Sequence, residues 1–279
     1  MTAEHFVRYD LDDRVAVITL DRPAAANAQT PGVLKDLDDA WRGADEDPEV
    51  RVIVFMTTGK HFSAGHDMSG VDPSADGRNL KPVRTDGKLL AEDYYDWETR
   101  GYLDYARRWR EIPKPSIAAV QGKCIAAGLM LCWPCDLIVA ADNAQFSDPV
   151  GLMGIGGVEY HAHTWEFGAR KAKEMLFTAG SVTAEEALRS GMVNHVVPLD
   201  ELRSATMTLA HRVAQTDPWA LRMAKRAVNH TLDNMGFSTA IASCYDMHHL
   251  GHTRALAATN GETVVMADLE RMKAAGRNK

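Results

Sequence analysis

The run Val50-Arg51-Val52-Ile53-Val54-Phe55-Met56 constrains this chain more than any other feature. It is short, rich in β-branched residues and almost continuously apolar, the pattern of a strand covered on both faces. Strands of that kind belong to parallel sheets packed between helices. Val15 to Leu20 has the same character; with Phe6, Val7 and Tyr9 across a turn at Asp12-Asp13, it predicts a hairpin. Strands are also expected at Ser116–Val120, Leu137–Ala140, Gln145-Phe146 and Val193–Val197. Helical periods fall between them. Thr30 supplies an N-cap and Pro31 a first helical residue for a segment with Val33, Leu34, Leu37 and Trp41 on one face. An aromatic run from Tyr94 to Trp109 ends at Pro113, a helix is expected from Ile125 onward, and Thr183 to Glu186 reads as a capping box closed by Gly191. This alternation predicts an α/β core over residues 1–198. After Pro198 the periodicity is helical, through Pro218–Leu232 and Thr239–Ala258, so residues 199–279 are expected to form a C-terminal α-helical region.

Charge limits the partners. Lys and Arg number 31 against 38 Asp and Glu, a net charge of −7, so the cationic term that holds proteins on nucleic acid or anionic lipid is missing. Neither nucleic acid nor a membrane is expected as a partner. The N-terminal residues show no basic segment followed by an apolar one, and the chain is expected to be cytoplasmic. Four cysteines are too few for a disulfide framework, and Cys132-Trp133-Pro134-Cys135 is read as a buried, inert pair inside a helix. Gly151, Gly154, Gly156 and Gly157 do not have dinucleotide-binding spacing.

Two loops remain, each joining a strand end to small residues: Lys60-His61-Phe62-Ser63-Ala64-Gly65-His66-Asp67-Met68, and Ala118-Ala119-Val120-Gln121-Gly122-Lys123-Cys124-Ile125-Ala126-Ala127-Gly128-Leu129. Backbone N–H groups at a helix start are unpaired and can stabilise a developing oxyanion, and small residues let a ligand approach them. With Asp21-Arg22-Pro23, Asn27-Ala28, Asp136 to Asp142 and Ala144-Gln145-Phe146, these loops resemble the enoyl-CoA hydratase/isomerase (crotonase) superfamily from about Val15 through Pro198. The resemblance implies a crotonase-like ββα spiral core and a CoA thioester as substrate, with no other cofactor and no metal. It also implies an oxyanion hole made by the backbone N–H groups of His66 and Ala127, with Gly128 beside them. Each such donor is worth roughly 3–4 kcal/mol in other oxyanion holes. Ala24 to Ala26 would lie beside the CoA adenine, and Ser63, Ala64 and Gly65 along the pantetheine. Arg22 and Lys60 are read as solvated surface charges, and Asp67 as a brace for its loop. Homotrimers or homohexamers are implied, with the tail residues Trp219, Phe237, Tyr245 and Met247 suited to contacts.

The chain departs from the family pattern where it matters most. Ala126-Ala127 replaces the usual pair of glycines, so a β-carbon narrows the hole. Met130 and Val150 occupy the positions of the two glutamates that hydratases of the family use, and neither moves a proton; losing one such group typically costs about 10²–10⁴ in rate. Replacement candidates are Glu159 and Asp148, with His161 and His163 next in line. Glu159 stands one residue beyond Val158, where some isomerases and a dehalogenase of the family carry an aspartate. The His66 side chain is expected to face solvent, and His248 and His252, although at i and i+4, to lie at the surface or a subunit contact because no partner completes a metal motif. Residues 71–88 read as a lid-like loop shaping specificity. The expectation is an acyl-CoA-processing enzyme for which two-glutamate hydration is unsuited; a one-carboxylate double-bond isomerase, a thioester or C–C hydrolase, and a non-catalytic acyl-CoA-binding protein are the alternatives.

Overall fold

The structure is a computed structural model that describes residues 5–69, 89–259 and 261–265; the lid-like loop at 71–88 lies outside them. Strands β1 (Val7–Asp12) and β2 (Val15–Leu20) form the expected hairpin around Asp13, which takes a left-handed φ of 54°. Helix α1 (Pro31–Glu46) starts as expected, with Val33 N–H donating to the Thr30 hydroxyl at 3.2 Å. After β3 (Val52–Thr57) the aromatic run forms α2 (Ala91–Glu98) and α3 (Asp104–Glu111), joined by a π-helical turn over Thr99–Leu103. Next come β4 (Ser116–Val120), β5 (Lys123–Ile125), a 3-10 turn at Ala126–Gly128 and the short α4 (Leu129–Cys132). The remaining core elements are β6 (Leu137–Ala141), β7 (Gln145–Ser147), α5 (His163–Thr178), β8 (Ser181–Thr183), α6 (Ala184–Ser190) and β9 (His195–Val197). Three helices follow: α7 (Leu202–Ala214), α8 (Pro218–Asn234) and α9 (Phe237–Ala258).

The main sheet has the order β1-β2-β3-β4-β6-β9 and is parallel apart from the first hairpin. A second sheet, β5-β7-β8, stands beside it. Because side chains alternate along a strand, the continuous apolar runs feed two cores at once. Ala16, Ile18, Leu20, Ile53 and Phe55 pack with Val33, Leu37 and Trp41 of α1, whereas Val15, Val17, Val52, Val54 and Met56 pack with Leu202, Met207 and Ala210 of α7. Burying each large side chain of this kind contributes roughly 1.5–3 kcal/mol. The C-terminal region is therefore bonded to the sheet through α7.

One element differs from expectation. Lys123–Ile125 is a strand, where a helix was expected from Ile125, and the helix is confined to Leu129–Cys132. Pairing with β7 and a bridge between Ser63 and Cys124 hold these residues extended, and Ala126 at φ 49° breaks the path to a helix. Cys124, Cys132 and Cys135 are buried free thiols; burial pushes Cys132 and Cys135 well above the usual thiol range, in keeping with an inert pair.

Candidate active site

The two loops come together through backbone pairing. Ser63 N–H donates to Lys123 C=O at 3.1 Å and Ile125 N–H to Ser63 C=O at 2.9 Å. A third segment, residues 22–29, clamps the first loop from the other side. Gln29 N–H donates to Gly65 C=O and Asp67 N–H to Gln29 C=O, both at 2.8 Å. The Gln29 side-chain amide donates to the Ser63 hydroxyl (3.1 Å) and to Ala127 C=O (3.0 Å), so one residue ties both loops. Buried Asn27 donates to Thr58 C=O and His61 C=O at 2.8 Å each. Gln29 carried no distinguishing sequence signal beyond its place two residues after Asn27.

This clamp decides where the amides point. The pairing with Gln29 uses Gly65 C=O and Asp67 N–H, which turns the intervening His66 N–H to the opposite side. Ala127 is the second residue of a 3-10 turn whose cap is Ile125, so its N–H precedes the first bond of that turn. The loops approach so closely that a Cβ placed on Gly65, at φ +89°, would stand 2.9 Å from Ile125 C=O and 3.3 Å from Ala127 N. Gly128 is equally confined: a Cβ placed on it would stand 2.8 Å from Ser63 C=O. Ala126 and Asn27 both hold the left-handed conformation that glycine adopts without cost, the physical reason a glycine suits position 126.

Arg22 is not a solvated surface charge. Its guanidinium is mostly buried, 2.6 Å from Asp67 and 2.9 Å from Ala28 C=O. Desolvation raises the Asp67 carboxyl, but hydrogen bonds from Ser69 and the Arg22 guanidinium outweigh it, leaving Asp67 below the usual range. The expected brace is thus a largely buried ion pair.

The His66 side chain also departs from expectation, turning inward. Its ring stacks on Tyr102 with centroids 3.8 Å apart, and Nε2 lies 3.0 Å from Oε1 of Glu159, which is 3% exposed. Burial raises the Glu159 carboxyl; the charge and hydrogen bond of His66, with help from His248, bring it below its ordinary value. Glu159 is therefore a buried carboxylate held ionised by an imidazole whose own main chain belongs to the first loop.

Asp148 is differently employed. It is fully buried, accepting from Val158 N–H (2.9 Å) and Val150 N–H (3.4 Å) and lying 2.9 Å from His163 Nε2. Its bonds from Val150 and Val158 hold the 149–158 loop that leads into Glu159, and its contact with His163 ties that loop to the start of α5. His161 precedes α5 and His163 begins it, and their rings meet at 4.2 Å beside Gly157. Burial pushes His161 down to about 4. Met130 is 4% exposed and Val150 half-buried, and both side chains are apolar. Ala24 and Ala26 lie on a 3-10 turn at the outer side of the first loop, where Ala64 N–H donates to Ala26 C=O.

The clearest correction concerns His248 and His252. Both are buried and, with His249, surround Glu98, a residue that the sequence did not single out. Tyr94, Glu98 and Tyr102 recur at i, i+4 and i+8; one acid on an otherwise aromatic helix face was the available signal. Burial raises the Glu98 carboxyl, but His248 and His249 hold it well below its ordinary value. Among the described residues Glu98, His248 and His249 are the group of donors able to hold a metal. A cavity of about 590 Å³ lies elsewhere, between β9 and α7, and includes none of these residues.

Comparison with known proteins accords with this geometry. The enoyl-CoA hydratase/isomerase family model matches residues 10–259. EchA13 of Mycobacterium tuberculosis is 41% identical over 268 residues, covering 92% of this chain and 84% of that protein. The short-chain-enoyl-CoA hydratase of Clostridium acetobutylicum is 32% identical over 240 residues, 83% of each chain. A crystal structure of a probable enoyl-CoA hydratase from Mycobacterium thermoresistibile superposes with a TM-score of 0.86 at 56% identity, covering 93% of this chain and 99% of that one. Sheet order, paired loops and family match lead to one assignment: the chain is an enzyme of the enoyl-CoA hydratase/isomerase family, with the crotonase fold.

Proposed function

We propose that this enzyme shifts the double bond of an enoyl-CoA, using Glu159 as its single proton carrier and the His66 and Ala127 N–H groups as an oxyanion hole. The observation that carries the reading is the 3.0 Å contact between Glu159 and His66, which couples the buried carboxylate to the loop whose amide would bind the thioester oxygen. The Glu159 carboxylate removes a proton from the α-carbon of a β,γ-unsaturated thioester. The C–H electron pair moves into the thioester carbonyl, and the enolate oxygen is held by two amides that need no reorganisation. The same proton returns to the γ-carbon, leaving the double bond between α and β. No water enters the balance, which suits a pocket where Met130 and Val150 replace two carboxylates. Hydration would need a base for water as well as an acid for carbon.

The CoA moiety would run past Ala24 and Ala26 and along Ser63, Ala64 and Gly65, with Gly128 closing the hole. Small residues there, and a Gly65 site too tight for any side chain, support this path. The test is product analysis on a 3-enoyl-CoA and a 2-enoyl-CoA. Formation of the conjugated thioester from the first, with slow hydration of the second, is expected. Rapid hydration that survives Glu159→Gln would overturn the proposal. Release of free CoA would establish a hydrolase, and tight binding without turnover a carrier.

A further inference from the structure

Helix α9 delivers three imidazoles to one buried carboxylate. Glu98 Oε2 lies 3.1 Å from His249 Nε2, 3.4 Å from His248 Nε2 and 3.6 Å from His252 Nε2, and the last two nitrogens are 2.9 Å apart. All four residues are at least nine-tenths buried. The protonation of the two outer rings is set by their other nitrogen. His248 Nδ1 lies 2.7 Å from Gly157 C=O and His252 Nδ1 lies 2.5 Å from Thr263 C=O. A carbonyl only accepts, so both Nδ1 atoms carry the hydrogen, and each Nε2 turned to the other ring and to Glu98 is a lone pair in the neutral ring and a second N–H in the protonated one.

Lone pairs and a carboxylate oxygen at this spacing repel unless a positive centre lies among them. One shared proton would satisfy the His248–His252 pair, but His249 Nε2 and Glu98 Oε2, although 3.1 Å apart, make no well-directed hydrogen bond among the described residues. A divalent cation satisfies all of them. Ligands about 2.1 Å from a common ion lie ~3.0 Å apart across a cis octahedral edge and ~3.4 Å apart across a tetrahedral one, close to the separations found. The bonds from Nδ1 to backbone carbonyls are the outer support that metal-bound histidines usually have. We infer that Glu98, His248 and His249, with His252 beside them, form a binding site for a divalent first-row transition ion. Imidazole with one carboxylate suits zinc, iron(II) or cobalt(II) and disfavours magnesium and calcium. The ion would join α2 to α9, and through the bond from His248 to Gly157 it would fix the loop that presents Glu159. This site was not foreseen from the sequence because the carboxylate comes from 150 residues before the histidine pair. It does not depend on the isomerase reading.

The experiment uses the full-length protein, stripped with a chelator and titrated with zinc(II) or cobalt(II) alone. One ion per chain is expected, with visible cobalt(II) ligand-field absorption and a rise in Tm on the order of 5 °C at roughly 100 times Kd. Glu98→Gln and His249→Gln should each lose the cobalt signal while keeping the far-ultraviolet circular dichroism of the parent. The inference is overturned if the unaltered protein binds no stoichiometric zinc or cobalt and its Tm does not move. It is equally overturned if folded Glu98→Gln and His249→Gln both retain full binding. Should either variant fail to fold, the titration of the unaltered chain still decides.

Discussion

Glu159 and His66 separate two roles that a single substitution usually confounds. Glu159→Gln keeps the shape of the side chain and removes its basicity; turnover is expected to fall about 10²–10⁴-fold with little change in acyl-CoA affinity, read by kcat against a direct binding titration. His66→Ala should cost less, because its backbone N–H persists and only the hold on Glu159 is lost. A drop in kcat of about tenfold with KM unchanged is expected, and His66→Gln, whose amide can stand in for Nε2, should recover most of it. Gly65→Ala tests the proposed oxyanion hole itself. Its Cβ would press on Ile125 C=O in a backbone conformation that L-residues avoid, so the variant should lose on the order of 2 kcal/mol of stability as well as activity. A stable, active Gly65→Ala would show that the loops do not meet as described.

Helix α6 offers a test at the level of one element. Thr183 accepts from Glu186 N–H at 3.2 Å, and Glu186 accepts from Thr183 N–H at 2.9 Å, closing the capping box. Removing the hydroxyl half of it with Thr183→Ala should cost about 1 kcal/mol in chemical denaturation at neutral pH. The bond from Thr183 N–H, with Lys171 alongside, outweighs desolvation and holds Glu186 at about 2. That is below the unfolded value, so its contribution is complete above about pH 4.5 and is lost as pH falls towards 2. The stability gap between the parent and Glu186→Gln, which has no carboxylate to titrate, should shrink as pH falls through that window. The π-helical turn between α2 and α3 has a different use: it sets Glu98 towards α9 while placing Tyr102 under His66.

For the whole molecule, pH dependence and assembly are the accessible readouts. Desolvation pushes Glu166, in the first turn of α5, up to about 8. A raised carboxylate works against the fold when ionised, so the parent should lose stability between about pH 4.5 and 8. Glu166→Gln removes that dependence and should gain on the parent as pH rises, matching it near pH 4.5. Helix α8 has no buried residue, and Trp219, Val228 and Met235 on it or at its end, with Leu250 on α9, are exposed. If the trimeric arrangement implied by the family holds, sedimentation should give three times the mass of one chain, and Trp219→Glu should lower it. The described residues contain no helix long and apolar enough to cross a membrane.

Local physics made much of this molecule readable in advance. Strand runs buried on both faces, the Thr30-Pro31 and Thr183–Glu186 helix starts, and the small-residue loops depend on neighbours a few positions away, and such features survive into the fold. Glu159 was legible as a candidate for the same reason, standing just after a glycine-rich loop. What the chain's order did not reveal depends on partners brought from far away. Arg22 meets Asp67 across 45 residues, His66 meets Glu159 across 93, and Glu98 meets the α9 histidines across about 150. Periodicity says which face of an element is apolar; only the packed sheet and helices decide which polar groups are shut in together, and burial makes that meeting energetically decisive.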